Sequence, residues 1–102
     1  MISSLGRLEG LENSNVSEIQ EEIEFLRDTL EVLRATDEIS NDAFLEAGSI
    51  QGGLSILINL ILQGITGVEA NSQLSSLKER AQTLNEIYPG LDASIESKRN
   101  IP

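Results

Sequence analysis

From Val16 onward the apolar residues fall at Val16, Ile19, Ile23, Leu26, Leu30 and Leu33, with gaps of 3, 4, 3, 4 and 3. That repeat belongs to a heptad seam, whereas a strand would alternate with period two. The spacing predicts a helix over about 17 to 36. Asn15 or Ser17 is the candidate cap, Ser17 as a Ser-x-x-Gln box with Gln20. Glu18, Glu21 and Glu22 crowd the first turn, where the helix dipole favours negative charge. With Val16 at position a, Glu22 falls at g and Arg27 at the following e, an attractive pair across a parallel dimer.

Thr36 to Asp42 is a run of polar capping residues in which Ser40 or Asn41 can start a second helix. Beyond it, Ala47 to Val68 is a stretch of 22 residues without one charge. Ile50, Leu54, Leu57, Ile58, Ile61, Ile65 and Val68 keep helical spacing, and Ile56, Leu60 and Leu62 thicken the stripe. Gln51, Ser55, Asn59 and Gln63 step by four, and a drift of about 40° per step spreads them over a band of roughly 120°. A helix over about 41 to 64 that is apolar around the rest of its circumference has to be covered on several sides. Ala43 with Ala47, and Gly48 with Gly52, are small residues four apart that let another helix approach closely.

A third periodic segment carries Leu74, Leu77, Ala81, Leu84 and Tyr88 and predicts a helix over about 72 to 88. Tyr88-Pro89-Gly90 ends it, because the residue before a proline avoids helical geometry and Pro-Gly favours a type II turn. Gly64-Ile65-Thr66-Gly67 and Gly52-Gly53 read as helix ends or close-packing points. Without a preceding strand or a following Lys they do not make a phosphate loop. Residues 1–15 form an N-terminal arm whose Leu5, Leu8 and Leu11, three apart, can dock on a neighbour. Residues 16–90 are the helical domain. Residues 91–102 are a tail with Leu91, Ile95, Ile101 and the basic pair Lys98-Arg99, long enough for one short helix.

The pattern therefore predicts an all-α fold of three main helices, a helical hairpin or bundle with heptad-patterned outer helices around a buried apolar middle helix. Two outer helices offer one narrow stripe each, so the remaining cover for the middle helix is expected from further copies of the chain or from a partner. The expected oligomer interface comprises Val16, Ile19, Ile23, Leu26, Leu30 and Leu33 of the first helix, Leu54, Leu57 and Ile61 of the second, and Leu74, Leu77 and Leu84 of the third.

Composition narrows the chemistry. Within 102 residues, 17 acidic and 7 basic side chains leave a formal charge of -10, which argues against binding nucleic-acid phosphates or anionic lipid. The charge is concentrated: residues 1–50 hold twelve acids and three Arg, residues 51–102 five acids and four bases. With no His and no Cys, the chain lacks the usual ligands of zinc, copper, haem and iron-sulfur clusters, and it has no Ser-His or Cys-His nucleophile. No cofactor and no enzymatic activity are expected. Glu18, Glu21, Glu22 and Glu24, with Glu38 and Asp42, faintly resemble the Mg²⁺-holding carboxylates of all-helical nucleotide pyrophosphohydrolases. Those enzymes pair carboxylates on facing helices, and here no basic residue between 35 and 77 is available for substrate phosphates. A solvated acidic face accounts for the pattern better.

The uncharged stretch is long enough to cross a bilayer, yet it holds four polar residues and its flanks lack basic clusters and an aromatic belt. A buried helix is the stronger reading. Met1 to Gly10 holds no run of seven apolar residues behind a basic end, so a cytoplasmic or virion location is expected. The function expected from all this is non-enzymatic: a self-associating helical subunit or adaptor of a larger assembly, such as a small virion or phage structural protein. Its partners would be copies of itself and another protein of the assembly. The alternative is an acidic binding inhibitor, a nucleic-acid mimic that engages a basic groove; a membrane-active helical protein and a Mg²⁺-dependent phosphohydrolase rank below it.

Overall fold

The computed structural model describes residues 1–8 and 16–99, and every regular element in them is helical. The order is α1 (Ile2–Gly6), α2 (Val16–Ala35), α3 (Asn41–Leu62), α4 (Gly67–Ile87) and α5 (Leu91–Glu96). Leu11, Asn15 and Ile101, named above, lie outside the described residues.

Local chemistry sets the helix ends. α2 stops where Asp37 takes a left-handed φ of 58°, which lets Glu38 N–H donate to the Leu33 carbonyl at 2.8 Å and Asp37 N–H donate to that of Arg34 at 3.1 Å. This is the paired closure that satisfies the last carbonyls of a helix, and Asp tolerates the left-handed region better than most residues. α3 ends in the same way at Gly64, φ 94°, with Ile65 N–H donating to Leu60 O at 3.2 Å and Gly64 N–H to Ile61 O at 3.0 Å. The Ser40 side chain caps α3 by accepting from Ala43 N–H at 3.1 Å. Thr66 does the same for α4, accepting from Glu69 N–H at 3.1 Å. α4 therefore starts five residues before the expected 72, because Thr66 caps it and Gly67 sits as its first residue. α2 begins at Val16, which leaves Ser17 inside the first turn and not at its cap.

α3 lies in the middle, packed on α2 along one side and on α4 along another. The side opposite α3 is closed by the two ends of the chain: α1 packs on α4 and α5, and α5 packs on α2. Met1, Leu5 and Leu8 from the N-terminal end, with Leu91 and Ile95 from the C-terminal end, are all buried in the common core. Each such aliphatic side chain, fully buried, contributes about 1.5 to 3 kcal/mol.

The residues expected to join copies are placed in this core. Ile19, Ile23, Leu26, Leu30, Leu33, Leu54, Leu57, Ile61, Leu74, Leu77 and Leu84 are buried within one chain, and Val16 is half-buried against them. The physical reason is the extra wall: α5 packs on α2 and α1 on α4, so five side chains from these elements and their flanks close the core on the side away from α3. α3 nevertheless keeps one side uncovered. The chain measures 39 × 30 × 17 Å, and 17 Å admits about two layers of helices, so a central helix meets neighbours on some sides only.

Candidate interaction surface

On an α-helix Leu45, Gly52 and Ile56 fall within about 20° of one line. Leu45 is 65% exposed and Ile56 is 64% exposed, so this line is the outward edge of α3. The glycines of α3 differ in role. A Cβ built on Gly53 would come within 2.8 Å of Leu77 Cδ2, because α4 approaches closely there, whereas Gly48 and Gly52 have nothing within 4 Å and open outward.

Beside this edge runs a groove between α3 and α4. Arg80 donates to Ser49 Oγ at 2.7 Å and lines both halves of the groove, marking the boundary between them. The half toward the α3–α4 turn, about 250 Å³, is lined by Gly53, Ile56, Leu57 and Leu60 opposite Gln73, Ser76 and Leu77. Among the described residues no carboxylate borders it. The other half, about 830 Å³, has Leu45 and Ile50 opposite Leu84, Ile87 and Tyr88, with Asp42, Glu46 and Glu79 among its lining. Ile87 is 64% exposed. α3 is also the one described helix long and apolar enough to cross a membrane.

The acidic residues of α2 divide. Glu18, Glu21, Glu24, Asp28 and Glu31 stand exposed, whereas Glu22 turns inward. Its two carboxylate oxygens accept from Nη1 and Nη2 of Arg99, the former at 2.9 Å. Arg99 also donates to Glu96 and to Ser4 Oγ, and its guanidinium lies 4.1 Å from the centre of the Phe25 ring. These carboxylate bonds keep its proton on more firmly than in a free arginine. Glu22 is thus committed to Arg99 of its own chain, and Arg27 pairs with its neighbour Asp28. Among the described residues no three His, Cys, Asp or Glu side chains converge as metal ligands.

A second polar cluster ties α1 to α5. Asp92 accepts from Ser3 Oγ at 2.7 Å, from Ser3 N–H at 2.9 Å and from the Met1 ammonium at 3.0 Å. Partial burial pushes the Asp92 carboxyl up, but these donors outweigh it and bring its pKa down to about 2. Arg99 and Arg7 hold Glu96 below its ordinary value against partial burial. The Met1 amine is itself lowered by burial, with Asp92 acting in the opposite sense.

The depressed Asp92 carboxyl contributes stability that is complete above its unfolded value near 3.9 and is lost as the pH falls through about 2. After discounting for solvent screening, that contribution is about 1 to 2 kcal/mol. The chain should therefore be more stable than its Asp92→Asn variant at pH 6, with the gap in urea midpoint narrowing between about pH 4 and pH 2. A gap that does not change with pH would show that the charge on Asp92 does not hold α1 in place.

No family model, curated protein or solved structure matches this chain.

Proposed function

We propose that this chain is a non-enzymatic, self-associating helical subunit of a larger protein assembly, and that copies meet on the charge-free half of α3. The observation that carries the reading is Ile56, 64% exposed in the middle of the 22 uncharged residues Ala47 to Val68. A chain of net charge -10 repels its own copies over most of its surface. Along Gly48, Gly52 and Ile56 two chains can touch without bringing carboxylates together. The open side of Gly52 also admits a second helix at short distance. A small size, the absence of His and Cys, and an apolar strip on a strongly charged body suit a building block, such as a small virion protein or an adaptor.

The test is Ile56→Glu. The side chain points outward, so the variant should keep its helical content and lose no more than about 0.5 kcal/mol of stability. Its association should weaken by at least about tenfold, since a carboxylate would have to be buried between copies. Sedimentation of variant and parent at equal concentration reads this directly. Unchanged association in a folded Ile56→Glu protein would place the contact elsewhere.

A second reading is supported by the row of exposed carboxylates Glu18, Glu21, Glu24, Asp28 and Glu31 on α2. An acidic helix face of this kind can occupy a basic groove as a nucleic-acid mimic. Binding through it would fall steeply with salt and would be lost on Glu21→Gln with Glu24→Gln, whereas self-association through α3 would not.

A further inference from the structure

We propose that the carboxylate-bordered half of the α3/α4 groove takes a basic amphipathic helix from a partner protein. The groove has an apolar floor, Ile50 and Leu84, between two exposed apolar rims, Leu45 at 65% and Ile87 at 64%. Burial of such rims on association is favourable, and a helix laid in a groove presents apolar residues at i, i+3 or i+4, and i+7. α4 lines this half from Ser76 to Ile87, a span of about 16 Å, or about three turns of a partner helix.

Charge selects the occupant. Asp42, Glu46 and Glu79 are exposed in the lining, and none of them is in an ion pair with a described residue. Arg80, the one cation in the lining, donates to Ser49. A second copy would bring a further net charge of -10 toward these carboxylates, whereas Lys or Arg flanking an apolar stripe would neutralise them. The carboxylates that border this site lie on the far side of Arg80 from the half lined by Gly53, Ile56 and Leu60.

The probe is a fluorescent helical peptide of about 16 residues with Leu at i, i+4, i+7 and i+11 and Lys on the flanking positions, compared with a twin carrying Glu in place of Lys. The Lys peptide should bind the full chain and the Glu twin should not, and binding should weaken several-fold between about 0.05 and about 0.5 M salt. Glu46→Lys with Glu79→Lys should weaken it by at least about tenfold. Leu45→Ser with Ile87→Ser, which leaves every charge in place, should produce a comparable loss. Glu21→Lys with Glu24→Lys on the outer face of α2 changes net charge by the same amount and should cost less than about threefold. Circular dichroism confirms that each variant is folded. Three results would overturn the proposal: no binding of the Lys peptide, equal binding of the Glu twin, or an equal loss in the α2 variant, which would mean attraction to net charge or to the α2 face.

Discussion

Leu26→Glu should unfold the chain at room temperature, with loss of its helical circular dichroism. Leu26 has no solvent exposure and sits in the middle of the α2 seam, surrounded by the chain's own core. Deleting a buried leucine side chain costs about 2 to 5 kcal/mol, and a carboxylate in its place adds the cost of desolvating a charge or of protonating it. Small domains have about 5 to 15 kcal/mol of stability in total. The heptad spacing read by itself carries a different expectation, that this seam joins two chains and that Leu26→Glu leaves a smaller but still helical species. The two outcomes separate cleanly on one gel-filtration run with a circular dichroism spectrum. A folded variant of reduced mass would show that the α2 seam faces another copy.

The second large effect concerns the polar knot that holds the two ends of the chain to α2. Arg99→Ala is expected to cost about 2 to 4 kcal/mol, because it leaves Glu22, only 9% exposed, without its cation. It also removes the donors to Glu96 and Ser4 and the guanidinium over Phe25. Arg99→Lys should recover only part of the loss, since an ammonium cannot bond both Glu22 oxygens in the fork geometry of a guanidinium. Arg99→Met combined with Glu22→Leu should recover most of it, because an apolar pair of similar volume leaves no buried charge uncompensated. Urea denaturation of the three variants checks this order. A cost below about 0.5 kcal/mol for Arg99→Ala would mean that the knot behaves as an ordinary surface ion pair.

What could be read in the chain before its structure follows the range of the interactions involved. α2 and α3 emerge from periodicity because each repeats its apolar residues over five or six turns, and Ser40 announces the start of α3 by the usual capping chemistry. The start of α4 was hidden: Gly64 and Gly67 read as interruption, whereas Thr66 between them, three residues before Glu69, carries the cap. The fourth wall of the core was legible only as an arm that docks and a tail long enough for a short helix, without the place where they dock. Leu5, Leu91 and Ile95 lie in helices of five or six residues, with Met1 and Leu8 just outside the first, and their docking on this chain depends on contacts such as Ser3 to Asp92 and Ser4 to Arg99. Glu22 illustrates the same competition, since the heptad rule matched it with Arg27 of a second copy while the folded chain gives it Arg99, 77 residues away.

The interaction surface was legible only in kind. The uncharged stretch signalled that α3 needs more cover than two helices supply, and α3 does leave Leu45, Ile56 and Leu62 exposed. Which side would be left open depends on how α2 and α4 pack against α3. Leu57 and Ile56 are adjacent in sequence and equally apolar, yet one is 3% exposed and the other 64%. The residues proposed for contact between copies, Gly48, Gly52 and Ile56, are consequently a different set from the seam residues that the spacing singled out.

The most direct test of the central claim, that copies meet on the charge-free half of α3, is the mass of the unmodified chain in solution. Sedimentation equilibrium from about 1 to about 100 µM, without detergent and at moderate salt, spans the affinities expected of such a contact. The mass should rise with concentration to at least twice the 11.1 kDa of one chain. A constant 11.1 kDa across that range, with a cooperative melt, would contradict it, because α3 would then be a stable outward face that no second copy covers.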